Sequence, residues 1–459
     1  MTQMDSGTRG LTRRRVMHWG ATLTAVTGGG LALTACGASN TAPSAGTTGS
    51  GAAPATTAPA TIRFHHRGGQ VGVGQEPTLY AEQIPLFQAK FPNIKVIDEG
   101  FTGEDFYTKV TVLNAGGSLG DAMWTSVGGG GIYNVAAQKM ITPVDPFVAK
   151  EKFDLSQYYK GTIDGLKRDG KLYGLPFKSH PGYAILYYNQ TLLEQKGASV
   201  PDKAWNLDRL LDAAKRVGGA GTDTFGYFPH TSHKSILAFT RAHGGELVDP
   251  EGKKSLLNSQ QAITAVNWMY ETFHKHNVAP VPPLPQGGEG TMFTTGKLAM
   301  HRSGTFFQNT AVNQVKDQFK WNAIIHPKGP ANVGGSDYEI DAYSIITSSK
   351  QQDAAWQWVK WITNQESGIR LGEIGGTIGG RPDVYRSERM LKDPLRRIFL
   401  EAMESAQTGR PVYNTRLSEY EKTLQDGLAP VWLGKETPNK AFLDELSRQV
   451  QVVLDQPLP

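Results

Sequence analysis

Cysteine is all but absent: the chain of 459 residues contains 1, at Cys36. A single cysteine excludes an intrachain disulfide, a CxxC redox pair and a cysteine zinc cluster, so the folded part must be stable without covalent staples. No HExxH spacing occurs either. The histidine groups His65-His66, His230-x-x-His233 and His274-x-His276 invite a zinc-hydrolase reading, but none has a local carboxylate placed as a base. No acidic residue stands out as half of the carboxylate pair that glycoside hydrolysis needs. The run Gly128–Gly131 lacks the Lys-Ser/Thr of a P-loop, and no other nucleotide motif is present. An uninterrupted apolar run is missing too. The stretch Val16–Ala35 is long enough to span a bilayer, but Gly20, Gly28, Gly29 and Gly30 make it a poor permanent span. These gaps point away from an enzyme and from any cofactor or metal.

What is present begins at the N-terminus. Arg13, Arg14 and Arg15 stand ahead of that weak apolar stretch, which ends in Leu33-Thr34-Ala35-Cys36. A basic region, a mild apolar core and small residues before a cut are the parts of an export signal. The arginine pair resembles a twin-arginine signal, and Leu-Thr-Ala-Cys resembles a lipobox, cleaved before a cysteine that then carries the lipid. Residues 1–35 are expected to be removed, leaving Cys36 acylated and the protein held outside the cytoplasm on the outer face of the cytoplasmic membrane. That removal takes four arginines and one aspartate, and the formal charge falls from +5 to +2. A near-neutral mature chain gives no electrostatic reason to invoke nucleic acid. Residues 37–60, built from Gly, Ala, Ser, Thr, Pro and one Asn, hold nothing large to bury and read as a flexible tether.

From Thr61 the composition becomes globular, and about 400 residues exceed what one core usually serves, which points to two lobes. Short β runs alternate with helical ones. Thr61–Phe64 reads as a strand, Leu79–Phe91 as a helix ending at Pro92, and Ile94–Ile97 as the next strand. Residues 106–115 read as helix, Ala122–Trp124 as strand and 131–139 as helix. Such alternation implies an α/β sheet with crossover helices, which binds ligands on the loops at the carboxyl ends of its strands. Asn206 is placed to cap a helix carrying Leu207, Leu210, Leu211 and Ala214 at 3.6-residue spacing. Ala262, Ile263, Val266, Met269, Tyr270 and Phe273 form a second stripe. A third, on 353–362, turns Trp356, Val359, Trp361 and Ile362 towards a core.

A set of short segments then carries a resemblance. They include Phe91-Pro92-Asn93-Ile94-Lys95-Val96, Ala115-Gly116-Gly117-Ser118-Leu119-Gly120-Asp121-Ala122 and Gly170-Lys171-Leu172-Tyr173-Gly174-Leu175-Pro176. Further along come Leu186-Tyr187-Tyr188-Asn189, Phe293-Thr294-Thr295-Gly296-Lys297-Leu298-Ala299-Met300 and Pro327-Lys328-Gly329-Pro330. In this order and spacing the chain resembles a family 1 extracellular solute-binding protein, the family that includes the maltose-binding proteins. The resemblance implies a periplasmic-binding-protein fold of type II with a ligand cleft between two α/β lobes. It places residues 61–165 plus 335–400 in the first lobe and 166–334 plus 401–459 in the second. It further implies a monomer that takes a mono- or oligosaccharide and passes it to the permease of an ABC importer, whose partners supply the ATP chemistry. A sugar phosphate or other anion is the alternative ligand.

Sugars are held by aromatic faces and by polar side chains that replace water on the hydroxyls. Phe306, in Gly304-Thr305-Phe306-Phe307, matches the place where sugar-binding relatives carry a stacking tryptophan. His65, His66 and Arg67 follow the first strand, and Trp124, Thr125 and Ser126 end a later one, so both groups are expected on cleft loops. Asp164 matches an acidic position used by some sugar-binding relatives. Tyr183, His230 and Ser232 sit on loops after β runs in the second lobe. Tyr413 and Arg416 are placed near a third crossing between lobes.

Overall fold

Strand β1 (Ala60–His66) pairs in parallel with β2 (Ile94–Gly100) and β3 (Ala122–Ser126). Parallel neighbours need long crossovers, and the helices Gln75–Lys90 and Phe106–Ala115 supply them. The computed structural model describes residues 58–68, 75–101, 106–128, 131–219, 221–375, 377–405 and 416–457. The export signal, Cys36, nearly all of the tether and Tyr413 lie outside the described residues. Next in the chain come β4 (Ile141–Thr142), the hairpin of β5 (Lys167–Arg168) with β6 (Lys171–Leu172), and β7 (Leu175–Gly182). They are followed by β8 (Ile185–Asn189), β9 (Phe225–Phe228), β10 (Leu298–Ser303), β11 (Trp321–Ile325) and β12 (Asp337–Ile346).

Two sheets result. The first runs β2-β1-β3-β12-β4 with β7 on β12, and the second runs β11-β8-β10-β9. The expected boundary at residue 166 put β7 with the second sheet, yet β7 pairs along β12 from Leu175 to Gly182. Pro176 lies within this strand. Apart from an isolated bridge of Lys178 to Gly379, β7 pairs with β12, and the register slips beside Pro176, where Phe177 is the extra residue. An edge strand with a bulge is where a proline costs no ladder bond.

Helix signals in the sequence act as read. Asn206 Oδ1 accepts the Arg209 N–H at 3.0 Å and starts the helix Leu207–Val217. The apolar stripe at 262–273 lies on the helix Gln260–His274, with Ala262, Val266, Met269 and Phe273 buried. On the helix Gln352–Ile362 the core takes Trp358 as well as Trp356, while Trp361 is half-buried and donates its N–H to Gln83 at 3.1 Å. The last two helices, Leu417–Trp432 and Lys440–Leu454, pack on each other, and the first of them also packs on His233–Ala242 and Gln260–His274 beside the second sheet. Among the described residues no helix is long and apolar enough to cross a membrane.

Candidate functional site

Strands β7 and β12 form a ribbon that places charged side chains opposite one another. Lys178 pairs in register with Asp341, and His180 with Glu339. Residues two apart on a strand share a face, so these four side chains form one polar row. Lys178 Nζ lies 2.8 Å from Asp341 Oδ2 and also contacts the Glu76 carboxylate. Arg67, just past β1, brings a guanidinium nitrogen to 2.9 Å from the same Asp341 oxygen and 3.5 Å from Glu76. Its guanidinium lies 4.5 Å over the ring of Trp124. Glu339 contacts Lys234 of the helix His233–Ala242, and His180 Nε2 lies 3.3 Å from its other oxygen.

Burial alone would raise the pKa of all three carboxylates. The charges of Lys178 and Arg67 on Glu76, of Arg67 and Lys178 on Asp341, and of Lys234 on Glu339 outweigh it. Each is held below the usual carboxylate range and is ionised near neutral pH. For His180 burial dominates and lowers the ring's pKa, with Glu339 opposing.

Across from this row stands a second group. Tyr183 opens the segment after β7, and its hydroxyl lies 3.2 Å from His230 Nε2, the rings being 4.7 Å apart. His230 Nδ1 accepts the Ser232 N–H at 3.1 Å, which leaves the ring proton on Nε2, 3.1 Å from Glu289. Burial of Glu289 opposes its ionisation, but the hydrogen bond from His230 prevails and brings its pKa down to about 2. Phe306 is 40% exposed and meets His180 and Tyr183 edge-on at 6.1 and 6.4 Å. The arrangement offers one open aromatic face, two further rings and a set of fixed donors and acceptors. Among the described residues no group of three His, Cys, Asp or Glu side chains could hold a metal.

The model of the bacterial extracellular solute-binding protein family matches residues 73–369. The chain belongs to that family. The lactose-binding protein of Rhizobium radiobacter is 23% identical over 221 residues, 46% of this chain and 50% of that relative, so the chain spans half the relative's length. Among solved structures, an ABC substrate-binding protein from Listeria monocytogenes in complex with cycloalternan superposes with a TM-score of 0.75. It is 19% identical and covers 85% of this chain and 98% of its own. UgpB from Mycobacterium tuberculosis, in complex with glycerophosphocholine, gives a TM-score of 0.71 at 18% identity, with 86% and 98% covered. These likenesses show the two-lobe α/β fold of periplasmic binding proteins, with one sheet in each lobe.

Within this solute-binding fold the structure brings together Arg67, Trp124 and Ser126 on one side and Tyr183, His230 and Phe306 on the other. Ser126 Oγ accepts the Gly128 N–H at 3.1 Å and donates to the Ile340 carbonyl at 3.2 Å. His65, His66 and Thr125 do not reach the cleft. Strand β1 continues through His66 and β3 through Ser126, each past the expected end, so these side chains sit within strands and are fully buried. His65 Nε2 accepts the Gly120 N–H at 2.9 Å, and His66 Nε2 lies 2.5 Å from Asp98. Thr125 Oγ1 lies 2.9 Å from Ser344 Oγ.

Three more candidates have other work. Ser232 caps the helix His233–Ala242 by accepting the Ser235 N–H. Arg416 donates to the Pro457 carbonyl at 2.7 Å and to Glu419 at 2.9 Å, tying the chain's end to the helix Leu417–Trp432. Asp164 pairs with Lys160 and Lys167 on a more exposed face. The paired histidines of the zinc reading diverge: His233 lies 3.1 Å from Glu421, His274 faces the Trp432 carbonyl at 3.1 Å, and His276 lies 3.6 Å from Glu271. Sequence reasoning missed Glu76, Lys178, His180, Lys234, Glu289, Glu339 and Asp341. The alternation Lys178-x-His180 and Glu339-x-Asp341, charged or titratable residues spaced by two along a strand, was the available signal.

Proposed function

We propose that this chain captures a carbohydrate between its lobes and delivers it to the permease of an ABC importer, acting by binding and not by chemistry. The observation that carries the reading is Phe306, an exposed aromatic face on the second lobe beside Tyr183, with ionised and hydrogen-bonded side chains around it. Apolar C–H faces of a sugar ring fit such a platform, and its hydroxyls fit fixed donors and acceptors. The sugar ligands named for the lactose-binding relative and the cycloalternan complex agree with it.

The cations argue against an anionic solute. Arg67 and Lys178 share Asp341 and Glu76, and Lys234 contacts Glu339, so each described cation beside the cleft already has a carboxylate. A phosphate would enter a field containing Glu76, Glu289, Glu339 and Asp341. At the N-terminus the arginine pair and lipobox support export by the twin-arginine route and a lipid on Cys36, which leaves the binding domain tethered outside the cytoplasmic membrane.

A thermal-shift screen of the full chain carrying Cys36→Ser, denatured and refolded to strip trapped solute, tests the reading. Mono- and oligosaccharides, polyols and sugar phosphates form the panel. A saturable rise with one carbohydrate class, leaving the compound unchanged, is expected through linkage of binding to stability. A rise with sugar phosphates alone, or with none of the panel, would sink the carbohydrate assignment.

A further inference from the structure

The formal charges beside the cleft do not cancel. Arg67 and Lys178 lie against Glu76 and Asp341, two cations on two carboxylates. Lys234 contacts Glu339, one on one. Glu289, at the start of the helix Gly288–Thr294, pairs with no lysine or arginine among the described residues. Its partner is the His230 ring at 3.1 Å, and because His230 Nδ1 accepts the Ser232 N–H that ring carries its proton on Nε2 and no net charge. Burial pushes nearby His301 down to about 4, so it adds no positive charge near neutral pH. One ionised carboxylate is thus left without a cation. Its side chain keeps 18% of its surface open.

Glu289 is joined to the aromatic group. The Tyr183 ring lies 4.7 Å from the His230 ring that holds Glu289, and Phe306 lies 6.4 Å from Tyr183. The next residue of the helix, Gly290, approaches Phe307 so closely that a Cβ there would meet its ring at 3.2 Å, which sets the helix start beside the Phe306-Phe307 turn. On the other side of Phe306 stands His180, 5% exposed, with Nε2 3.3 Å from Glu339. Burial lowers the pKa of that ring, and its Nδ1 is buried with no hydrogen-bond partner among the described residues. Neither histidine beside the aromatic faces therefore supplies a cation. A solute laid on Phe306 would take water from an ionised carboxylate, which is costly unless the solute brings an opposite charge.

We propose that the carbohydrate taken by this cleft carries a free amino group, bound as an ammonium by the Glu289 carboxylate beside the rings of Tyr183 and Phe306, which rests on the carbohydrate reading of the same cleft and narrows it to basic amino sugars. An ammonium has three N–H donors and no acceptor, and so suits a place that offers a carboxylate and no cation of its own. Aromatic faces attract cations as well as sugar C–H groups, so one platform serves both parts of such a solute. A hydroxyl at this point donates one hydrogen bond and leaves the charge of Glu289 uncompensated. An acetamido group leaves it uncompensated too, and adds a carbonyl oxygen that a carboxylate repels.

The test compares sugars that differ only at one substituent. Glucose, glucosamine and N-acetylglucosamine, the three corresponding galactose compounds, and cellobiose with its diamino and di-N-acetylated counterparts are titrated calorimetrically into the full chain carrying Cys36→Ser, stripped of solute by refolding, at a pH where the amines are protonated. In at least one of the three sets the amine is expected to bind about tenfold more tightly than its hydroxyl and acetamido forms, the fold-change of one charge-assisted hydrogen bond. Glu289→Gln keeps the shape of the side chain and removes its charge; it is expected to abolish that advantage and leave the affinity for the neutral sugar nearly unchanged. Should Glu289→Gln not fold, the ranking of the three forms by the parent still decides, because acetylation keeps the nitrogen and removes its charge. Binding of neutral sugars as tightly as the amines would overturn the amino-sugar inference and leave the carbohydrate reading standing. An amine advantage that survives in folded Glu289→Gln would overturn the assignment to Glu289. No binding of any of the nine sugars would count against both readings.

Discussion

Lys178 and Asp341 face each other across β7 and β12 with Nζ 2.8 Å from Oδ2, and Arg67 shares the same carboxylate oxygen. Two cations thus depend on one buried acid, with Glu76 as their second partner. Removing one member of a buried pair leaves its partner uncompensated, at a cost of about 3 kcal/mol or more. Asp341→Asn is therefore expected to lower unfolding stability by at least that much, read from urea titration. The double variant Lys178→Met with Asp341→Asn should lose less than Asp341→Asn alone, because the stranded ammonium has gone. Additive losses in that cycle would show that the pair is not coupled.

Acid should weaken the protein well before its carboxylates protonate. Burial pushes His301, packed among Phe293, Phe307 and Tyr187, down to about 4 from the ordinary histidine value. His65, enclosed beside Phe101, is also lowered to about 4. Both are neutral in the folded state over a range where the unfolded chain holds a proton on each. Unfolding then takes up protons, and stability is complete above about pH 6.5 and is lost as pH falls towards 4, by up to about 3 kcal/mol for each ring. Unfolding free energies measured from pH 7.5 to 4.5 should show this slope. In His301→Asn the slope should fall by about one proton at pH 5, whatever the variant's absolute stability.

The contrast between the helices and the site shows which features were local. Asn206 as a cap and the stripe through Val266 and Met269 depend on residues within a few positions, so spacing revealed them. Strand ends were less legible: β1 looked finished at Phe64 because His65 and His66 are polar. Their satisfaction by Gly120, Glu99 and Asp98 comes from neighbouring strands. The charge row was least legible, since Arg67 and Asp341 stand 274 residues apart and meet only through sheet topology. Tyr183, His230 and Phe306 were found because each ends a β run or matches a family position. Glu289 was not, because its partner His230 comes from another element.

Anchoring can be tested apart from binding. If Cys36 carries the lipid, Cys36→Ala should move the protein from the membrane fraction to the medium without altering solute affinity. One acyl chain binds a bilayer only marginally, so tight association of the parent would require more than one chain. Continued tight membrane association of Cys36→Ala would remove the lipoprotein assignment. Replacing Arg13 and Arg14 by lysine should block export if the twin-arginine route is used, and leave it intact if it is not.

Phe306 gives the sharpest separation of binding from folding. Its ring is the exposed member of the aromatic group, so Phe306→Ala removes little that the core needs and should leave the melting temperature of the solute-free protein nearly unchanged. An aromatic contact is worth about 1 kcal/mol beyond its buried area, so affinity for the carbohydrate found in the screen should fall at least about fivefold. Phe306→Trp enlarges the stacking face at the same place and should bind as tightly as the parent or more so. Titration calorimetry on the three proteins reads both effects. Equal affinities across the series would mean that the solute does not lie on this ring. The site would then have to be sought along the row from Arg67 to Glu339, where hydrogen bonding rather than stacking would carry recognition.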